Sequence, residues 1–408
     1  MFPGQPEEVT SRLRYPAVLV TAVLCYAALG VVLGILPDYV RSLGGGPVLV
    51  GLAVGAPALT GAAGRPLGGR LADRSGPAPI MIAGALVMAL GTLPAFVHAL
   101  PVLLLSRLLV GAGEASMMAA AVLWLLRLAG PERRGRAMGH IGLANYAGLT
   151  VGPLLAHALA GPAHPAPVWI AAALLPLLAA ALASVLARGE QRSAAVEEDV
   201  GPATTHDEAP DPATWRVTIR PGIGLMLVNF GYVAILSFGA AAAVEQGTGI
   251  GTLVIPVFGV GVIASRTILA GVPDRFGAAR TLIVAVVLEA GGLAATAIAT
   301  SPPAALASLV AMATGQGLAV PSLGLLALAA VPASRHGRTA GAFFAYFDAG
   351  VGLGGPAVGL AARAADPAGG LLAAAGAVLA TAPVALLGLG KGPIRARSRR
   401  IESCRDAT

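Results

Sequence analysis

Arg107, Glu114, Glu289 and Asp348 each stand inside a long apolar stretch of the chain. A charge in such surroundings costs kilocalories to bury, so each is a functional candidate by default. Arg107, Gly111 and Glu114 lie at i, i+4 and i+7 and share one face of a helix. The rise from Arg107 to Glu114 is about 10 Å, too far for a direct pair, and a water or a small molecule fits between them. Burial favours the neutral form of a carboxyl and a nearby cation favours the charged form. Glu114 is therefore expected to take and release a proton, with Arg107 as its electrostatic modulator and Asp348 as a second proton site. Asp38 is either a plain interfacial residue or the partner of Arg107. Asn145, Tyr146, Asn229 and Tyr232 are candidate polar contacts for a bound small molecule, although buried polar side chains also hold helices together. Tyr346 joins them from the run Phe343, Phe344, Tyr346, Phe347 beside Asp348, a run that serves packing or stacking. Glu289 is expected to hydrogen-bond inward in a structural role.

The elements that must position these residues follow from composition. The chain has 408 residues, 56% hydrophobic and 12% charged, with mean hydropathy +0.79. An ordinary soluble domain is about 25% charged, which excludes a soluble enzyme. Stretches such as Ala17–Pro37, Val102–Leu126 and Ile170–Ala187 are long enough to cross about 30 Å of hydrocarbon as helices. The short alternating segments of a transmembrane barrel are absent. The pattern predicts an all-α membrane protein with twelve spans, at 17–37, 47–68, 79–98, 101–126, 137–160, 168–187, 221–243, 250–271, 281–300, 304–331, 339–363 and 370–389.

Charge sets the orientation. The net charge is +7 and every basic residue except Lys391 is an arginine. With both termini inside, the cytoplasmic segments hold Arg65, Arg70 and Arg74, Arg266, Arg275 and Arg280, and nearly all the rest, while only Arg41 and Arg363 lie outside. This asymmetry predicts cytoplasmic termini. Basic loops between apolar spans do not make a nucleic-acid surface. Residues 1–187 form an expected N-terminal bundle of six spans and 221–390 a C-terminal one. The acidic, proline-containing segment 188–220 reads as a flexible cytoplasmic linker, and 391–408 as a basic cytoplasmic tail.

The two bundles repeat each other. Arg65-Pro-Leu-Gly-Gly69-Arg-Leu-Ala-Asp73-Arg74-Ser-Gly76 aligns with Arg266-Thr-Ile-Leu-Ala270-Gly-Val-Pro-Asp274-Arg275-Phe-Gly277 at an offset of 201 residues. Arg133-Arg-Gly135-Arg136 aligns with Arg335-His-Gly337-Arg338 at 202, and Gly152-Pro153 with Gly355-Pro356 at 203. Parallel six-span repeats are a transporter architecture. On these residues the sequence resembles the major facilitator superfamily over nearly its whole length. The segment Gly69 to Gly76 is similar to that family's loop signature, with Pro77 and Ala78 in place of its closing basic pair. Arg107-Leu-Leu-Val-Gly111-Ala-Gly113-Glu114 is similar to the span-4 motif of proton-coupled drug exporters. Gly148-x-x-x-Gly152-Pro153 is similar to their antiporter motif, with Ala156-His157 where a glycine pair usually follows. The subgroup resembled is the twelve-span drug:proton antiporters and arabinose-efflux-like permeases.

The resemblance implies that spans 1, 4, 7 and 10 line a central cavity and that spans 5 and 11 form the seam between halves. It also implies that Asp73 and Asp274 latch the cytoplasmic face against the starts of spans 11 and 5. The function implied is proton-coupled efflux of a small apolar or amphipathic molecule across the plasma (inner) membrane by alternating access. The alternative is an importer or facilitator of a small metabolite; a membrane enzyme or sensor is remote. There is no nucleotide-binding loop, no His-Glu-x-x-His, no nucleophile elbow and no cysteine cluster. The expectations are accordingly no enzymatic activity, no cofactor, metal, nucleotide or nucleic acid, and a monomer whose partners are substrate, protons and the lipid bilayer.

Overall fold

Long runs of Ala, Leu, Val and Gly give the backbone one way to satisfy its own polar groups in hydrocarbon without a closed barrel, the α-helix. A computed structural model describes residues 6–130, 133–159, 165–194, 212–329, 331 and 336–386. Among them every long element is helical and no strand occurs. The first half consists of α1 (Pro6–Leu33), α2 (Pro47–Ser75), α3 (Pro77–Thr92), α4 (Leu100–Ala129), α5 (Arg134–Leu159) and α6 (Ala166–Ala194). The second consists of α7 (Pro212–Ala234), α8 (Val254–Ile268), α9 (Ala278–Ile298), α10 (Pro302–Leu328), α11 (His336–Ala365) and α12 (Pro367–Leu379). Through a π turn at Ile235–Gly239, α7 continues into Ala240–Glu245.

Ten of these helices, with their short extensions, are long and apolar enough to cross a membrane. The other two, α5 and α11, hold 26 and 30 residues. Their glycines and prolines, with Asn145, Tyr146 and Asp348, lower the hydropathy. The chain is an integral multi-pass membrane protein. Helix α6 runs on to Ala194 and α7 begins at Pro212, so residues 188–194 and 212–220 of the expected linker are helical. Residues 195–211 of that linker and the basic tail 391–408 lie outside the described residues.

The repeat is imperfect at its loop motif. In the first half α2 is continuous to Ser75, whereas in the second α8 stops at Ile268 and a short helix, Val272–Phe276, follows. Pro273 explains the break, because it lacks an N–H and crowds the preceding turn.

Helix α1 packs on α5 and α6, α4 on α2 and α3, and α10 on α8 and α9 within their halves; α2–α11 and α5–α8 join the halves. The α2–α11 seam is built on glycine. A Cβ at Gly51 would strike the Gly355 carbonyl, and one at Gly359 would lie 2.6 Å from the Pro47 carbonyl oxygen. On α5 the glycines do something else. Gly148 and Gly152 face α1, against Tyr26 and Gly30, and Pro153 packs beside Gly34. These residues tighten the first half and do not form the seam expected of span 5. The opposite face of α5 meets the other half, where Thr150 packs on Gly259 of α8. On α11, Gly355 does meet the other half, one residue before Pro356 inside the helix.

Gly51→Val should therefore force the α2–α11 seam open, since neither backbone can yield to a branched side chain. The check is a cysteine at Val54, a buried position one turn along α2. Its labelling by a thiol reagent added from the Gly51 side should rise severalfold, and unchanged labelling would mean the helices are not in contact there.

Candidate functional site

Glu114 and Asp348 come together around a cation that the loop count had placed outside the membrane. Arg65 sits within α2, one residue before Pro66, and reaches between α4 and α11. Its Nη2 donates to Asp348 Oδ1 at 2.9 Å. Its Nε lies 2.8 Å from Asp348 Oδ2, an ion-pair contact without the alignment of a hydrogen bond. The same Nη2 is 3.6 Å from Glu114 Oε1. Its Nη1 points at Met118 Sδ, 2.8 Å away. From α1, Tyr26 donates its hydroxyl to Glu114 Oε1 at 3.1 Å. The Asp348 and Glu114 side chains are 1% and 8% exposed. One guanidinium thus faces two carboxyls in a buried cluster, one excess negative charge if both acids ionise.

The cluster forms part of the wall of a central cavity of about 180 Å³. Arg107, Asn145, Tyr146 and Tyr232 line the same cavity. Arg107 does not modulate Glu114 by contact: its Nε donates to the Ala53 carbonyl at 3.1 Å, and no acid is in ion-pair range among the described residues. Nor does it meet Asp38, which pairs at 2.6 Å with Arg41 on the exposed face of the short helix Leu36–Ser42, where such pairs contribute little. The charge partnership expected of Arg107 belongs to Arg65, because α2 packs on both α4 and α11 and carries Arg65 at the level of the two acids.

The aromatic candidates gather across the halves. Tyr146 of α5 and Tyr232 of α7 have ring centroids 6.3 Å apart, and Phe258 and Phe347 each lie 6.0 Å from Tyr232. Arg266 of α8 is seated over the Tyr146 ring at 5.0 Å and also lines the cavity. Asn229 stands apart: it is fully buried and donates back to the Leu225 carbonyl of its own helix at 2.8 Å. The Tyr346 ring lies against Gly222 of α7, away from the cavity lining.

Arg65 and Arg266 are repeat mates, and Asn145 stands 203 residues before Asp348, the offset of the Gly-Pro pairs. The two helix pairs that join the halves therefore carry related contacts of different strength. An ion pair holds α2 to α11, and a cation–π contact holds α8 to α5. Sequence reasoning missed both arginines by assigning them to loops, although each falls inside a span boundary and the repeat aligns them.

At the loop motif Asp73, Arg74, Asp274 and Arg275 are exposed. Among the described residues neither Asp73 nor Asp274 makes a hydrogen bond or an ion pair. The side chains near Thr339, the expected partner of Asp73, lie outside the described residues, and Arg136 is exposed. Gly69 has open space around its Cα, while Gly76 and Gly277 turn the chain at φ 84° and 85°. Glu289 of α9 is fully buried, turned inward beside Gly231 of α7 and Gly315 of α10, with no hydrogen-bond partner for either oxygen among the described residues.

Among the described residues, twelve main helices in two repeated halves around a central cavity that carries a few charged and polar side chains define a secondary transporter. The chain belongs to the Major Facilitator Superfamily, whose family model matches residues 18–355. It is 31% identical over 341 residues to an uncharacterized MFS-type transporter of Salmonella typhimurium, covering 80% of this chain and 83% of that one. A similarly named transporter of Burkholderia mallei is 29% identical over 357 residues, covering 85% and 84%. Among solved structures the nucleoside transporter NupG superposes with TM-score 0.72 at 15% identity over 93% of this chain and 100% of that one. A bacterial homolog of the human lysosomal transporter Spinster, inward-facing and unoccupied, gives TM-score 0.68 at 15% identity over 94% and 96%. These likenesses establish the fold, and the named family and relatives are transporters.

Proposed function

We propose that this protein is a proton-coupled exporter of a small apolar or amphipathic molecule, of the drug:proton antiporter kind, in the plasma (inner) membrane with both termini cytoplasmic. The observation that carries the reading is the buried cluster of one guanidinium and two carboxyls on the cavity wall. Such an interior does not hold two negative charges against one positive at acceptable cost. Arg65 lies closer to Asp348, at 2.8 Å, than to Glu114, at 3.6 Å, so the exchangeable proton is assigned to Glu114. Proton entry down a 100 mV potential supplies about 2.3 kcal/mol per charge, which drives substrate the other way once the two compete for Glu114. The seam at Gly51 and Gly355 closes the outer side of the cavity, and Asp73 and Asp274 act as latches that engage when the halves rock to the opposite state. The Arg107–Glu114 face and the aromatic group of Tyr146 and Tyr232 suit an amphipathic guest.

Proteoliposomes carrying a pH-sensitive dye test the reading against lipophilic cations, antibiotics and sugars. The expected result is proton movement triggered by one compound class and opposite in direction to its flux. Substrate flux without proton movement would replace the exporter by a facilitator on the same fold, and proton and substrate moving together would replace it by an importer.

A further inference from the structure

We infer that the central cavity takes an amphoteric substrate, whose acidic group docks on Arg107 and whose cationic group docks on Glu114. The inference rests on the preceding reading for its proton step and on geometry for its recognition step. Arg107 is 3% exposed and lines the cavity. Only its Nε is hydrogen-bonded among the described residues, to the Ala53 carbonyl, and no acid pairs with its guanidinium there; besides the central cavity it borders a small void beside Ser106 and Trp169. A guanidinium so deep in a bundle without a counter-charge is costly, and an acid group of the guest supplies the missing partner, in two parallel hydrogen bonds where its geometry allows. Arg65 is not available in the same way, being paired with Asp348; Arg266 also lines the cavity, but it stands on α8 with its guanidinium stacked on the Tyr146 ring, whereas Arg107 shares a helix face with Glu114.

Glu114 presents the opposite pole. Tyr26 occupies Oε1, Oε2 has no hydrogen-bond partner among the described residues, and the residue lines the cavity. The groups that face Glu114 are Tyr26 and Cys25 of α1, Arg65 of α2, Tyr232 of α7 and Asp348 of α11. The one cation among them lies closer to Asp348 than to Glu114. Arg107 and Glu114 project from one face of α4, two turns and about 10 Å apart. Leu29, Val54, Pro57 and Leu149 line the cavity with them, which calls for an apolar spacer between two charged ends. Binding a guest of no net charge releases one proton. The carboxylic acid of Glu114 gives its proton to water, and the resulting carboxylate receives the substrate's ammonium, with no bond formed or broken in the guest. A guest that is only an anion would leave Glu114 no reason to lose its proton, and one that is only a cation would leave Arg107 unpaired.

The test uses the purified full-length protein in detergent with 8-aminooctanoic acid, its methyl ester and its N-acetyl derivative, read by calorimetric binding and by proton release into a weakly buffered dye. The amphoteric acid is expected to bind at least tenfold more tightly than either derivative and to release protons. In Arg107→Gln its advantage over the ester should fall to within twofold, and Arg107→Lys, which restores the charge, should recover most of it even if the glutamine variant fails to fold. The shorter 4-aminobutanoic acid, unable to reach both poles, should bind more weakly. Equal binding of ester and amphoteric acid, an advantage that survives Arg107→Gln, or no binding of any of the three overturns the inference. Proton release by the ester alone would sink the amphoteric substrate and leave proton exchange at Glu114 standing. Arg107-dependent binding without proton release would do the reverse.

Discussion

Arg65→Ala should be among the most damaging single exchanges in the chain. It removes the cation from a cluster in which Asp348 is 1% exposed and Glu114 8%, and leaves two carboxyls facing each other in the bundle. Breaking a buried pair by deleting one partner costs about 3–5 kcal/mol, because the remaining charge stays uncompensated. The measurement is thermal unfolding in detergent, where the midpoint should drop steeply at neutral pH. Acidification should restore part of the loss, since protonated carboxyls need no counter-charge. The double exchange Arg65→Met with Asp348→Leu should fold far better than Arg65→Ala, because apolar residues of similar volume replace a buried pair at little net cost. A midpoint for Arg65→Ala within a degree of the parent would show that the ion pair is not formed.

Glu114→Gln should abolish substrate-driven proton movement by at least tenfold while leaving the fold intact. The amide keeps a carbonyl oxygen for the Tyr26 hydroxyl, which now reaches Glu114 at 3.1 Å, and it keeps the volume. It cannot carry the proton. Counterflow of labelled substrate across a membrane with no gradient should continue at weakened affinity, because the amide oxygen replaces the carboxylate that docks the cationic group, and it should lose its pH dependence, because the amide does not titrate. If proton movement persists in Glu114→Gln, coupling resides on Asp348. In that case Asp348→Asn should remove it, with a stability loss of its own through Arg65. Both exchanges are read in the same proteoliposomes as the parent, so a folding defect and a coupling defect are separable.

Composition and periodicity were sufficient for the membrane class, the helical fold and the two repeated halves, because hydrocarbon admits few backbone solutions and a repeat is visible wherever its glycines and charges recur. They also singled out Glu114 and Asp348 as acids in apolar surroundings, since the cost of burying charge is a property of the residue and its neighbours in sequence. Which cation answers those acids was not legible. Arg107 is near Glu114 along one helix, yet the partner is Arg65, 283 residues from Asp348, delivered by packing of α2 between α4 and α11. Likewise Asn229 and Tyr146 read alike as polar residues in a span. One is turned back onto its own helix, and the other lines the cavity under an arginine. The glycine pair Gly148 and Gly152 has the spacing of a packing face, but spacing does not say against what. Helix faces are set locally by 3.6 residues per turn, whereas their partners are chosen by long-range packing that minimises uncompensated charge and empty space in the assembled bundle.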